Sequence, residues 1–465
     1  MKTHRILAVA LGAALSLSAQ PPDFTPPTPF FRVVLANDTA GVKQQLEAGA
    51  NPNEGKFLGF VPVFFPIINQ NIDMLRAMVA KGADVQVRDG VGSTTLMWAA
   101  YDENGRPELV EELMKIGVDP NAKNKNGETA LTWALRRGYT PVVAALKKGG
   151  ASDGTMIRES VEKALALLQK SGPEFVKVSG CTSCHNQSLP QMAAGLARAR
   201  GFGLDEQLSQ QSVKAVMAMF RPMREEMLKG TEKLPDPPIF VGYALAGLAA
   251  EGYKPDETTE AMAHLLATQQ LPDGGFGVLA ARPPLEGSTF TAAALSIRGM
   301  QTYGKDTERQ VAMARKWLER SQPKSTEDRA MQLLGLTWAK ADPEYLGNAA
   351  RALLASQRPD GGWAQLPNIE TDAYATGQAL VALRLSGQVP VTDSAYQHGI
   401  GFLLRSQLSD GSWLVRSRTF PFQPYKESGF PHGKNQWISA AGTSWASMAL
   451  TLAVPTDQPE LSRLF

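Results

Sequence analysis

QRPDGGW, residues 357–363, sits between AARALLAS and TGQALVALR, two stretches with helical patterning. The same frame occurs twice more, as QLPDGGF at 270–276 and QLSDGSW at 407–413, each with a helical run before it and after it. The Asp-Gly pair makes a tight turn, the glycine supplying the positive φ. The glutamine is placed to bond free backbone groups at helix ends, and the aromatic to pack over the turn. Helical hairpins are therefore the repeating unit from about residue 153 onward, roughly twelve helices in six pairs.

A different repeat precedes them. GAN at Gly49–Asn51, GAD at Gly82–Asp84, GVD at Gly117–Asp119 and GGA at Gly149–Ala151 place successive glycines 33, 35 and 32 residues apart. A helical run leads into each, so each glycine ends a helix in the left-handed conformation and the Asn or Asp opens the turn. A period near 33 with that ending resembles ankyrin repeats. The T-P-L-H-x-A helix opening survives in part as Thr95-Leu-Met-Trp-Ala99 and Thr129-Ala-Leu-Thr-Trp-Ala134, with Met97 and Thr132 at the His position. Such stacks present a concave surface to protein partners. The alternative is a structural cap for the helical region that follows.

The three Q-x-x-D-G-x-aromatic turns resemble the QW repeats of the squalene–hopene and oxidosqualene cyclase family, whose domains are α/α toroids. The similarity covers about residues 205 to 455 and implies an all-α chain, an ankyrin repeat solenoid followed by an α/α toroid with QW-type repeats. It implies a cleft for a hydrophobic, isoprenoid-like small molecule. In those cyclases a D-x-D-D acid protonates the polyene. The helix after the second repeat keeps Asp372 as the first acid, but Tyr374 and Ala375 stand where the catalytic acids belong. The resemblance thus implies a fold and argues against class II cyclase activity.

Both cysteines of the 465-residue chain lie in one C-x-x-C-H, Cys181 to His185. Two thiols three residues apart followed by His is the attachment pattern of one c-type haem, with Cys181 and Cys184 as tethers and His185 as proximal iron ligand. A redox dithiol would want a strand before it, and zinc a second ligand pair; a disulfide at this spacing constrains little. Met217, Met219, Met223 and Met227 follow on a helical run, with Met223 beside Pro222 favoured as sixth ligand. Core filling is the ordinary role of such methionines, and a five-coordinate haem the other option. The stretch RSRTFPFQPYKESGFPHGKNQWIS is a long Gly/Pro-rich loop, and loops of that length are often functional. It offers Tyr425 and His432 as groups near a substrate; Asp372 or Glu370 would be the acid of a non-standard cyclase.

The first nineteen residues, with Lys2 and Arg5 before an apolar run from Ile6 to Leu17, read as a secretory signal peptide. Haem attachment by this pattern requires export, so the expected location is periplasmic or secreted. The formal charge of +2, less Lys2 and Arg5, leaves 0, which gives no basic surplus for nucleic acid. No stretch is long enough for a membrane span. The expected organisation is a signal at 1–19, a Pro-rich linker at 20–27, ankyrin repeats at 28–152, a haem-bearing helical segment at 153–235, a toroid at 236–455 and a tail at 456–465. Three functions fit. One is a monohaem redox protein with a ligand in the toroid and a redox partner. Another is a protein-docking electron-transfer module without chemistry of its own. The third is a cyclase-like isomerase.

Overall fold

The computed structural model describes residues 26–102, 105–137, 140–151, 154–279, 282–420 and 425–454. The leader read at 1–19, residues 20–25 of the linker and the tail from 456 lie outside the described residues. The chain forms two compact units, Met1–Asp153 and Gly154–Phe465. Helices, turns and isolated bridges make up the described residues.

The described residues of the first unit form four helix pairs: α1 (Pro29–Leu35) with α2 (Thr39–Glu47), α3 (Phe64–Ile68) with α4 (Ile72–Val79), α5 (Thr95–Ala99) with α6 (Pro107–Lys115), and α7 (Ala130–Leu135) with α8 (Pro141–Lys148). Gly49, Gly82 and Gly117 take φ of +91°, +87° and +91°, as their motif demands. In the fourth repeat the left-handed residue is Gly150 at +89°, not Gly149, which ends α8 at φ −82°. The repeat spacing there is thus one residue longer than the GGA alignment implied. Neighbouring repeats are tied by one recurring bond: Asn53 Nδ2 donates to Gly82 O, Gln86 Nε2 to Gly117 O and Asn121 Nδ2 to Gly150 O, at 2.8, 3.0 and 3.0 Å. Met97 and Thr132 stand in for the motif's histidine. Each accepts a bond from the backbone N–H of the threonine that caps its helix, Thr94 or Thr129.

The second unit alternates outer and inner helices. In chain order these are α9 (Gly154–Ser179) then α10 (Leu189–Ala199), α11 (Glu206–Phe220) and α12 (Arg224–Lys229) then α13 (Pro237–Ala250), and α14 (Glu257–Thr268) then α15 (Thr289–Tyr303). They continue as α16 (Glu308–Arg320) then α17 (Thr326–Trp338), α18 (Pro343–Leu354) then α19 (Ala373–Leu385), and α20 (Ser394–Ser406) then α21 (Gln436–Ala453). The inner helices pack α10–α13–α15–α17–α19–α21 and back to α10, a closed ring of six. They run parallel. N-terminal residues meet one another, as Thr291 Oγ1 donates to Glu327 and Ser288 Oγ to Asp328. C-terminal residues do the same, as Gln301 Nε2 donates to Trp338 O and Arg200 to Val454 O. This is a six-over-six α/α toroid. The inner helix α13, PPIFVGYALAGLAA, is apolar on every side because both its faces are covered.

The three Q-x-x-D-G-x-aromatic turns hold the outer helices together. Gln270, Gln357 and Gln407 each donate twice through Nε2: to the turn's own Gly274, Gly361 or Gly411 carbonyl, and to Gln310, Ala395 or Ser160 on the next outer helix. Trp363 and Trp413, both fully buried, donate Nε1–H to Leu353 O and Leu403 O near the ends of α18 and α20, at 2.9 and 2.8 Å. The Gln407–Ser160 bond joins the last hairpin to the first, so the turn repeat also closes the ring. The segment 153–235 is accordingly no separate domain. Its α9 and α10 are the toroid's first hairpin, and one hydrophobic core runs from Ile157 to Leu452.

Candidate functional site

Because the inner helices are parallel, every outer-to-inner connection reaches the same end of the ring. The C-x-x-C-H lies in the first of these connections, entering α10 through a π-helical turn, Cys184–Ser188. Such turns recur at functional sites because the extra residue re-aims side chains. The turn is held from several sides. Ser183 Oγ accepts from Asn186 N at 3.1 Å, and Ser183 N donates to Gln187 Oε1 at 2.7 Å. Gln187 Nε2 donates to Gly172 O at 2.8 Å, and Thr182 Oγ1 to Met219 Sδ at 3.0 Å.

His185 is oriented by its neighbour. Asn186 donates through Nδ2 to Ser171 Oγ, so its Oδ1 is the acceptor that faces His185 Nδ1 at 2.5 Å. The imidazole proton therefore sits on Nδ1, and no hydrogen bond reaches Nε2 among the described residues. Burial pushes the ring down to about 4, so it is neutral at physiological pH. A neutral imidazole with Nδ1–H anchored and Nε2 open is the form that binds a metal. Cys181 is exposed and Cys184 buried, and no disulfide joins them. Burial, with Glu286 nearby, pushes the Cys184 thiol well above its ordinary range, against the lowered thiol a redox dithiol uses. The donor set fits a covalently tethered haem.

An aromatic stack leads away from His185. Trp437 lies over its ring at 5.2 Å and 12°, and Tyr425 stacks on Trp437 at 6.0 Å and 16°. Phe175 meets both His185 and Trp437 edge-on. Tyr425 is 44% exposed and its hydroxyl bonds Glu427 Oε2 at 3.0 Å. Trp437 Nε1 donates to Lys426 O at 2.9 Å, which fixes the indole.

The other residues singled out in the sequence take separate places. His432 accompanies the third turn, where Nε2 meets Ser412 Oγ at 2.7 Å beside Asp410. Asp372 caps α19 through Ala375 N at 2.9 Å and accepts from Gln365 Nε2 at 2.8 Å; Gln365 Oε1 in turn accepts from Arg418 Nε. Burial holds Asp372 up to about 6. Met217 and Met227 are core, Met223 is half-buried in a 3-10 turn, and Met219 is the methionine that touches the C-x-x-C-H loop. Among the described residues no three His, Cys, Asp or Glu gather as a metal site.

Of a second set of polar residues, the sequence singles out Tyr374 alone. Glu327, Tyr374, Gln378 and Tyr243 meet inside the ring: Tyr374 and Gln378 lie near Glu327, and Tyr243 near Tyr374 and electrostatically near Cys184. Burial pushes Glu327 up to about 7 and both tyrosines well above their usual range. Arg282 and Glu286, an ion pair on the connection before α15, face the same end, and burial holds Glu286 up to about 7. In the sequence Glu327 reads as an ordinary first-turn acid of a capped helix. The usable signal was Tyr243 and Gln378, each a lone polar residue in an otherwise apolar run.

In the first unit, Phe60, Trp98 and Trp133 form an edge-to-face file along successive repeats, at 5.2 and 5.5 Å. Tyr101, beside Trp98 and Trp133, carries Arg137 over its ring. All three rings of the file are half-buried.

Comparison with known proteins bears on this unit. The ankyrin-repeat family, in three copies, matches residues 30–124 and 96–178. The chain is similar to ankyrin repeat and SOCS box protein 6 of Mus musculus, 33% identical over 91 residues, covering 19% of this chain and 22% of the relative. It is similar to the E3 ubiquitin-protein ligase KEG of Arabidopsis thaliana, 31% over 101 residues, covering 21% and 6%. An ankyrin repeat, SAM and basic leucine zipper domain-containing protein 1 of Echinops telfairi matches at 27% over 138 residues, 28% of this chain and 29% of that one. The chain thus spans less than a third of the length of these relatives. No helix among the described residues is long and apolar enough to cross a membrane. The chain carries ankyrin repeats, modules that bind protein partners, followed by an α/α toroid.

Proposed function

We propose that this chain is an exported monohaem c-type redox protein whose toroid holds a ligand beside the haem and whose ankyrin repeats dock a protein partner. The observation that carries the reading is His185: neutral, anchored at Nδ1 by Asn186, open at Nε2, and directly after two unbridged cysteines. Cys181 and Cys184 would carry the thioether bonds and His185 Nε2 the proximal position. Met223 remains the sixth ligand proposed from sequence, and Met219, bonded to Thr182, is the nearer methionine to the loop. A haem bound here supplies one-electron chemistry. The stack from His185 through Trp437 to exposed Tyr425 supports an electron route to the surface, and Glu427 can hold the Tyr425 proton.

The buried groups Tyr243, Tyr374, Glu327 and Gln378 refine the ligand. A pure hydrocarbon would leave them unsolvated, so the reading moves from a hydrophobic to an amphipathic molecule. The docking module without chemistry keeps support from exposed Tyr101, with half-buried Arg137 over its ring, at the edge of the repeat array. The isomerase has less: Asp372 is engaged in capping α19 and in its bond to Gln365.

The test is the visible spectrum of the protein expressed with cytochrome c maturation factors, with and without carbon monoxide. A low-spin spectrum indifferent to carbon monoxide supports the electron carrier. A high-spin haem that binds it supports chemistry on the toroid ligand. Absence of haem rules out both.

A further inference from the structure

Between the N-terminal halves of α13, α17 and α19 the toroid buries polar atoms that no well-aligned hydrogen bond satisfies among the described residues. Glu327 Oε2, the hydroxyls of Tyr243 and Tyr374, and both carboxamide atoms of Gln378 are shielded from solvent and make no well-aligned hydrogen bond among the described residues, their mutual contacts Glu327–Tyr374, Glu327–Gln378 and Tyr243–Tyr374 being loose ones. The four residues expose 5%, 0%, 1% and 0% of their surface. The other Glu327 oxygen is engaged, accepting from Thr291 Oγ1 at 2.6 Å, which fixes the carboxyl and aims Oε2 away from α15. Tyr374 and Gln378 are one helical turn apart on α19 and both approach Glu327, while Tyr243 approaches Tyr374 from α13. Buried polar groups are ordinarily paired, and an unmet one is costly. Open donors and acceptors on four neighbouring side chains mark a site that something else fills.

We propose that this cluster binds the hydroxyl-bearing head of an otherwise apolar molecule, an alcohol or a phenol. Gln378 Oε1 accepts its O–H, and its oxygen accepts from the protonated Glu327 Oε2–H and from the Tyr374 hydroxyl. The head is uncharged for two reasons. No cation makes an ion pair within the cluster among the described residues: Arg418 lies within electrostatic reach of Glu327 and Tyr374 but donates to Gln365, and Arg282 pairs with Glu286. A cationic head would need Glu327 ionised, and burial keeps that carboxyl protonated well above its ordinary range. The remainder is apolar because the inner helices otherwise bury mostly Ala, Leu, Val, Ile and Met around it. A surface cleft of about 330 Å³ beside Met300, Thr307 and Arg315 has no comparable set and lies at the other end of α15.

The inference rests on the reading of the toroid as a ligand-binding domain, and it stands whether or not haem is attached. It is tested by calorimetric titration of the full-length protein with 1-naphthol, naphthalene and 1-dodecanol. The expected result is binding of a hydroxylated probe and a preference of about tenfold for 1-naphthol over naphthalene, the worth of one retained hydrogen bond. Preference for 1-naphthol assigns a phenol, and tight binding of dodecanol alone assigns an alkyl alcohol. In Tyr374→Phe and Gln378→Leu the hydroxyl preference falls by about tenfold while naphthalene binding is unchanged. Tyr374→Phe deletes an unsatisfied hydroxyl, so the variant folds and its thermal midpoint is no lower than the parent's. Equal binding of naphthol and naphthalene, unmoved by either variant, overturns the head site and leaves an apolar ligand pocket. Binding of no probe, with ordered water filling the cluster, overturns the head site and the ligand reading together.

Discussion

At the scale of the residue, the chain separates groups whose role is written in their neighbours along the sequence from groups whose role is set by the fold. Cys181, Cys184 and His185 belong to the first kind. Their spacing carries the proposal of haem attachment, and the structure adds which imidazole nitrogen is open. Glu327 belongs to the second. It sits one residue before Asp328 in a capping box, as many helix-opening acids do, and becomes buried only because five other inner helices close around it. Its carboxyl is held up to about 7 against an ordinary value near 4.5. An acid raised on folding contributes stability that is present below about pH 4.5 and lost as pH rises through 7. That component is on the order of 3 kcal/mol. Glu327→Gln keeps the Thr291 bond and removes the titration. Denaturation at pH 5 and pH 8 should therefore show the wild type losing stability relative to the variant at the higher pH. Parallel behaviour of the two proteins would contradict a protonated Glu327. Asp372 and Glu286 are raised in the same direction, so only the difference between wild type and variant isolates Glu327.

At the scale of the element, the Q-x-x-D-G-x-aromatic turn was legible to the level of individual bonds. Gly361 takes φ of +89° and Asp360 Oδ1 accepts from Gly362 N, as the Asp-Gly reading required. What the sequence did not disclose is that each glutamine reaches to the next outer helix, because that helix lies some forty positions away, or on the far side of the chain for Gln407. Gln357→Ala removes two bonds and should cost about 1–3 kcal/mol in urea denaturation. Trp363→Phe loses the bond to Leu353 O and leaves part of the indole's buried volume empty, and should cost about 2–4 kcal/mol in the same measurement. The repeat glycines of the first unit were legible in the same way, except the last. GGA offers two candidates, and only the geometry of α8's end chooses Gly150 over Gly149.

At the scale of the whole molecule, the two repeats mark the architecture and the boundary near residue 153, while a boundary at 235 has no counterpart in the second unit, Gly154–Phe465. No such turn precedes α10 or α13, so the first hairpin carries no signature, yet Gln407 bonds Ser160 on α9 and α10 packs between α13 and α21. The C-x-x-C-H is thereby part of the ring's rim rather than of an appended cytochrome. A fragment beginning at Gly154 should fold with a cooperative helical melt, whereas one beginning at Asp236 lacks α9 and α10 and should not. Circular dichroism through a thermal ramp checks this, and cooperative folding of the shorter fragment would contradict a ring closed by those two helices.

Intact-mass spectrometry of the protein matured with cytochrome c assembly factors tests whether this rim carries a covalent haem. One added haem that survives denaturation is expected. Both thioethers should form in the parent, and no doubly linked adduct in Cys181→Ser or Cys184→Ser. A polypeptide of unmodified mass under those conditions would contradict covalent attachment.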